Sequence, residues 1–160
     1  MQAEFEMSMI GELTHFLGLQ IHQQESGIFL SQSKYAKNLV KKFGLESANS
    51  VRTPMSPNDK LTVDLLGKSV DSSLYRSIIG SLLYLTTSKS KISYSVGVYA
   101  RYHANSKESH MIALKRIIKY VKTTADFGVW YSKDTNDVSA GYSDADWAGN
   151  ADDRKSTSGG

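Results

Sequence analysis

The sequence predicts an α+β fold, and three observations lead to this prediction. Residues 14–24 alternate between two sets of side chains with the two-residue period of a strand that has one face on a core. Beyond residue 72, apolar side chains recur at spacings of three and four, as in helices with one buried face. A stretch that contains both prolines separates the two patterns. With 160 residues, 40% of them apolar, the chain is long enough to bury a core.

The first region is predicted as a β-hairpin followed by a helix. The strand over residues 14–24 turns back into a second strand at 28–30. Ser31 suits the N-cap of a helix over residues 32–43, and Gly44 suits its end. One side of this helix is apolar and most of the rest is basic, with Tyr35, Leu39, Val40 and Phe43 opposed to Lys34, Lys37, Lys41 and Lys42.

Residues 45–71 are predicted as a connector without regular structure, because the composition shifts to Asn, Ser, Pro and Asp. Three helices are predicted after it, over residues 72–87, 92–103 and 107–123. Their apolar faces carry Leu74, Ile78, Leu82 and Leu85 in the first, Ile92, Val96 and Tyr99 in the second, and Met111, Leu114, Ile118 and Val121 in the third.

Two further strands are predicted near the end of the sequence, over residues 127–132 and 138–144, joined by a loop. The composition shifts at the connector and after the last helix then divide the chain into four regions. These are the hairpin and helix at 1–44, the connector at 45–71, the helical region at 72–124 and the final hairpin at 125–160.

The composition excludes several classes of protein. The absence of cysteine excludes a disulfide framework and thiolate metal sites, and fits a protein of the cytoplasm or nucleus. The first residues are acidic and no basic segment leads into an apolar run, so we expect no signal peptide. No apolar stretch approaches membrane-spanning length, so a membrane is not an expected partner. A net charge of +3 permits an anionic partner.

Five motifs occur in order, at residues 11–19, 30–35, 53–55, 75–85 and 113–120. Together they resemble the reverse transcriptase of copia-type (Ty1/copia) retrotransposon Pol polyproteins. The resemblance implies a palm-end hairpin and helix, a connector, and a helical region similar to the thumb or connection of the polymerase. Residues 88–92 read Ser-Lys-Ser-Lys-Ile, where the family usually has Ser-Arg-Pro-Asp-Ile. Residues 142–159 are similar to the start of the ribonuclease H domain that follows in this family.

The same resemblance implies Mg²⁺ chemistry that this chain contains only in part. Asp144 matches the first of four carboxylates that hold the ribonuclease H cations, and the polymerase Tyr-x-Asp-Asp motif does not occur in the sequence. Two-metal phosphoryl transfer needs those carboxylates, so we expect no complete catalytic site and no productive Mg²⁺ binding by this chain alone. Without the rest of the ribonuclease H domain, we also expect unpaired strand edges, and aggregation or disorder from about Phe127 onward.

Basic side chains on two predicted helices are candidates for contact with nucleic acid. Lysines at spacings of three and four suit phosphate backbones, with little sequence preference. An RNA–DNA hybrid is the partner that the resemblance implies, together with the remainder of the Pol polyprotein. The alternative is an ordinary solvated helix face. The candidate residues are Lys37 and Lys41 on the first helix, and Lys115, Arg116, Lys119 and Lys122 on the last.

Three functions stay open at this point. The chain could be a non-catalytic fragment of the polymerase that contacts the template and primer. It could be an element-derived protein with another role, such as a secreted pathogen effector acting in host cells, although the sequence shows no Arg-x-Leu-Arg motif. It could also complement a separate ribonuclease H remainder by supplying Asp144, in which case Asp144→Asn would abolish the stimulated hydrolysis.

Overall fold

The computed structural model describes residues 12–56 and 62–133, and the backbone pairing of two short strands at 144–145 and 158–159. These parts contain four helices and an antiparallel four-stranded sheet, which confirms the α+β class. Within the described ranges, no helix is both long and apolar enough to cross a membrane.

The sheet has the strand order β1-β2-β3-β4, with every neighbouring pair antiparallel. The prediction of one strand over residues 14–24 is wrong, because a two-residue turn at Leu17 and Gly18 divides it. Their φ angles of 47° and 78° are those of a turn that matches hairpin twist, and a leucine rarely adopts such an angle. The strands are β1 (His15–Phe16), β2 (Leu19–Gln24), β3 (Gly27–Ser31) and β4 (Gly128–Ser132).

The fourth strand pairs with the N-terminal hairpin, with Trp130 opposite Phe29. The expectation of an unpaired or disordered strand from Phe127 onward is therefore wrong for β4, because β3 supplies its hydrogen bonds. The predicted strand over 138–144 lies outside the described residues except at Asp144. That residue belongs to β5 (Asp144–Ala145), which pairs with β6 (Ser158–Gly159).

The helices are α1 (Ser33–Lys42), α2 (Ser72–Leu85), α3 (Ser93–Ala100) and α4 (Glu108–Thr123), and a short 3₁₀ turn (Ser90–Ile92) precedes α3. Ser31 is not the N-cap of α1, because it is the last residue of β3 and Gln32 takes that position. The carboxylate of Asp71 caps α2 by accepting from two backbone N–H groups.

The hydrophobic core lies among the four helices, and none of its buried members in the described ranges comes from the sheet. The predicted apolar face of α4 is confirmed, since Met111, Leu114, Ile118 and Val121 are buried. The prediction that Leu74 lies on the buried face of α2 is wrong, because Leu74 is 43% exposed and Tyr75 is buried in its place. The Tyr75 hydroxyl donates a 2.8 Å hydrogen bond to the Tyr99 carbonyl, which ties α2 to α3.

Alkaline pH is expected to destabilise the protein through Tyr75. Burial raises the pKa of its hydroxyl above the usual 10.0, so the unfolded chain loses this proton first. The contribution of Tyr75 to stability is therefore complete below pH 10 and falls by about 1.4 kcal/mol for each pH unit above it. Urea unfolding at pH 9 and at pH 11 measures this change. Between the two pH values, the free energy of unfolding should fall less for Tyr75→Phe than for the wild type. Equal losses would contradict this prediction.

The described parts of the connector, residues 45–56 and 62–71, contain no helix or strand, and they lie along α4 in the opposite direction. We call these residues the strap. Near the end of α4, the Lys122 ammonium donates to the Ala48 carbonyl (2.8 Å). Near its start, Ser69 forms an isolated β-bridge with Lys107. Intermediate contacts join Thr53 to Arg116, Thr62 to His110, and Asp64 to Ser109.

Candidate nucleic-acid interface

The predicted basic stripe on α4 divides into two pairs of residues. Lys115 is exposed and Lys119 is half-buried, and within residues 12–56 and 62–133 their ammonium groups have no ion pair or hydrogen bond. Arg116 donates to the Thr53 hydroxyl (3.0 Å) and carbonyl (3.3 Å), while Lys122 donates to the strap at Ala48. Two of the four cationic groups therefore hold the strap, and the other two have no partner among the described side chains.

The two candidate lysines of α1 also differ in their surroundings. Lys37 forms a 2.6 Å ion pair with Asp126, which follows α4, and Lys41 is exposed. The hydrogen bond from Lys37 holds the pKa of the Asp126 carboxyl below its usual range, and the charge of Lys89 acts in the same direction. Both partners of the pair are largely exposed, so it stabilises the fold little. Since α1 packs against α4, the two predicted stripes lie on neighbouring helices.

A buried lysine that sequence reasoning did not single out lies where these helices meet the sheet. The Lys89 ammonium donates to the carbonyls of Thr124, Ala125 (3.4 Å) and Phe127 (3.0 Å), just beyond the C-terminus of α4. A cation suits this end of a helix, where carbonyl groups lack intrahelical donors. Burial lowers the pKa of Lys89, and the negative charge of Asp126 opposes that shift.

A small cavity of about 180 Å³ lies beside Lys89, lined also by Tyr120 and Val129. Next to it, the Ser88 hydroxyl donates to the buried Gln32 side chain (2.6 Å), whose amide donates to the Tyr84 carbonyl (3.2 Å). Gln32, Ser88 and Lys89 thus form a cluster of buried polar groups that joins α1, α2 and the end of α4. Local composition does not reveal that Lys89 is buried. The sequence signal for this polar cluster is that Lys89 lies in a segment, residues 88–92, that resembles a family motif.

The histidines do not converge on a metal site in the described residues. His110 is fully buried and stacks on Tyr102, with ring centroids 4.1 Å apart. Its Nε2 donates to the Thr62 carbonyl (2.8 Å) and its Nδ1 accepts from the Lys107 backbone N–H (3.1 Å). His103 is exposed. No group of three or more His, Asp or Glu side chains in the described part of the chain could hold a metal.

Asp144, the candidate ribonuclease H ligand, pairs through its backbone with Gly159, and its side chain lies outside the described residues. Mg²⁺ requires a near-octahedral set of oxygen ligands. Whether Asp144 contributes to such a set therefore stays a prediction.

Comparison with known proteins identifies the origin of the chain. Residues 1–57 match the family model for reverse transcriptase (RNA-dependent DNA polymerase). The chain is 38% identical to the Retrovirus-related Pol polyprotein from transposon RE1 of Arabidopsis thaliana, over 92% of the chain and 10% of the polyprotein. It is 34% identical to the Uncharacterized mitochondrial protein AtMg00810 of the same plant, over 99% of the chain and 66% of that protein.

A shorter similarity links the chain to the Secreted RxLR effector protein 161 of Plasmopara viticola, which is 35% identical over 53% of the chain and 61% of that protein. No solved structure shows a significant match. The chain spans only a tenth of the Pol polyprotein from RE1. The reverse transcriptase match and the similarity to plant Pol polyproteins nevertheless agree, and we conclude that the chain belongs to the copia-type retrotransposon Pol family and derives from its reverse transcriptase.

Proposed function

We propose that this chain is a non-catalytic part of a copia-type reverse transcriptase that binds the sugar-phosphate backbone of an RNA–DNA hybrid. The observation that carries the proposal is that exposed Lys115 and half-buried Lys119 lie on one side of α4 without partners among the described side chains. Ammonium groups four residues apart on a helix lie on one face and can contact neighbouring phosphates. Lys41 on the adjacent α1 adds a third cation.

The regional assignments belong to the same proposal. The hairpin and α1 would correspond to the end of the polymerase palm, and α2 to α4 to a thumb-like or connection-like region. Residues from 125 onward would begin a ribonuclease H-like domain, with Asp144 as one of its metal ligands when the remaining carboxylates are present. The remainder of the Pol polyprotein would then be the protein partner of this chain, and would supply the Mg²⁺ chemistry.

The lysine proposal predicts a change in salt dependence. Replacing Lys115 and Lys119 together with alanine should weaken binding to an RNA–DNA hybrid and reduce the slope of log affinity against log salt by about 1.8, because two phosphate contacts are lost. Fluorescence anisotropy of a labelled hybrid between 50 and 200 mM salt measures this slope.

The matched control is the double variant Lys68→Ala with Lys91→Ala, which removes the same charge from exposed positions outside α1 and α4. This control should lower the affinity only through the change in net charge. Its slope of log affinity against log salt should stay closer to that of the wild type. A control slope reduced as much as that of the Lys115 and Lys119 variant would show that the binding is diffuse, and the proposed site on α4 would be wrong.

A second candidate function is favoured by the similarity to the secreted effector of Plasmopara viticola. In that case the chain would act as a short non-enzymatic interaction protein. An antibody against the strap would distinguish the two in the cells that express the chain. A polyprotein-sized band supports the polymerase origin of the functional product, whereas a band near 17.7 kDa in the secreted fraction supports the effector.

A further inference from the structure

One face of the sheet carries three ring side chains in a row across three strands. His22 pairs with Phe29, and Phe29 pairs with Trp130, so the three side chains point to the same side of the sheet. The rings of His22 and Phe29 have centroids 6.4 Å apart. His22 is exposed, Phe29 is half-buried and Trp130 is 44% exposed. We call this row the ring ladder.

Two glycines allow the rings of the ladder to lie low on the sheet. An added Cβ at Gly27 would lie 2.8 Å from the Trp130 indole, and one at Gly128 would lie 2.7 Å from the Phe29 ring. Each ring therefore covers the backbone of a glycine diagonally opposite it. In this position Trp130 stays exposed, while Phe29 is half-buried.

The strands of the ladder carry no negative charge, and Glu25 in the turn between β2 and β3 is the nearest acidic residue along the chain. None of the residues in β1 to β4 is acidic. Gln20 lies on the ladder side of β2, and its side-chain oxygen accepts from the backbone N–H of Lys34 (3.0 Å). Lys34 therefore lies at the start of α1, next to the ladder side of β2, and is exposed, whereas Lys37, one turn further along, is paired with Asp126.

We propose that His22, Phe29 and Trp130 form a platform on which unpaired nucleic-acid bases stack, while a phosphate contacts Lys34. Ring platforms on antiparallel sheets bind single strands in this way, with two or three bases stacked and little sequence preference. The proposal rests on nucleic-acid binding as the proposed function, but it concerns a different surface and a different form of the ligand. The hybrid would contact α4, and the unpaired strand would contact the sheet.

Affinity for single strands tests the platform. Labelled 12-residue oligouridine and oligodeoxythymidine serve as probes, and they distinguish RNA from DNA. Trp130→Ala and His22→Ala should each weaken binding, by about 5-fold to 100-fold for the tryptophan. The matched control is Tyr131→Ala, because Tyr131 is the next residue of β4, is 56% exposed and points to the opposite face. This control should change affinity less than about 2-fold, within the range of a surface substitution.

A second readout keeps the test valid if Trp130→Ala disturbs the sheet. The chain has two tryptophans, so Trp147→Phe leaves Trp130 as the sole reporter, and oligonucleotide binding should quench its fluorescence. Trp130→Tyr should retain most of the affinity, since a second aromatic ring still stacks. Equal losses for Tyr131→Ala and Trp130→Ala, or no quenching of Trp130 on binding, would overturn the platform.

The two proposals fail separately. If hybrid binding depends on Lys115 and Lys119 but ladder substitutions do not change single-strand affinity, the platform is wrong and the proposed function stands. If hybrid binding is absent while Trp130→Ala weakens single-strand binding, the platform stands without the duplex site. Loss of hybrid binding in Trp130→Ala, to the same extent as single-strand binding, would contradict the assignment of separate surfaces.

Discussion

Replacing Lys89 with methionine is expected to lower the free energy of unfolding by about 3 kcal/mol, because it leaves three carbonyls beyond the C-terminus of α4 without their charged donor. Methionine has a similar length and no hydrogen to donate, so the effect reports the lost hydrogen bonds more than a cavity. Urea denaturation followed by circular dichroism at pH 7 measures the change.

Two further variants define the role of Lys89. Lys91→Met, at an exposed position two residues later, should change stability by less than about 0.5 kcal/mol. Lys89→Arg restores both charge and donors, and should recover much of the loss. A Lys89→Met protein as stable as the wild type would mean that burying the ammonium costs about as much as its hydrogen bonds contribute.

The pH dependence of stability gives Lys89 a second signature. Burial holds its pKa in the folded state below the usual 10.5, so between the two values the unfolded chain binds more protons. The contribution of Lys89 to the free energy of unfolding therefore rises with pH in that window, opposite in sign to that of Tyr75. The free energy of unfolding can be measured from pH 8 to pH 10.5. Because Lys89→Met lacks this rising contribution, its free energy of unfolding should rise less, or fall more, over that range than that of the wild type.

Replacing His110 with leucine is the second large effect, with an expected loss of about 2–4 kcal/mol. The substitution leaves the Thr62 carbonyl and the Lys107 N–H without their ring partners, and removes the stack on Tyr102. One of these partners is in the strap and the other precedes α4, so the variant should also release the strap. Limited trypsin digestion at Arg52 and Lys68 should become faster than in the wild type.

His103→Leu is the matched control for His110, because His103 is exposed and lies outside this network. It should leave both the unfolding free energy and the trypsin rate nearly unchanged. A His110→Leu protein that loses stability without faster cleavage at the strap would show that His110 supports the helix start but does not hold the strap.

The sequence predicted those parts of the fold in which the signal is local. The spacing of Leu114, Ile118 and Val121 fixed the buried face of α4, because a long helix repeats the same period several times. At the start of α2, Leu74 and Tyr75 both fit an apolar stripe with Ile78. The choice between them depends on a hydrogen bond from Tyr75 to another helix, which no local pattern contains.

The parts that the sequence did not predict depend on contacts between distant residues. The pairing of Trp130 with Phe29, the burial of Lys89 and the contacts of the strap all join distant segments. The basic residues of α4 illustrate the same limit for the candidate site. Their spacing predicted one stripe. In the structure, Arg116 and Lys122 have partners in the strap, whereas Lys115 and Lys119 have none among the described side chains, and this division depends on where the strap lies.

The pairing of β3 with β4 also has a consequence for how the protein is made. The two strands lie roughly a hundred residues apart, and bringing such distant segments together carries an entropic cost and slows folding. During synthesis, the N-terminal hairpin would leave the ribosome well before its fourth strand exists, whereas α2, α3 and α4 follow one another and can pack earlier. The exposed edge of β3 is then open to wrong partners throughout translation. We therefore expect the native four-stranded sheet to form only after β4 has been synthesised.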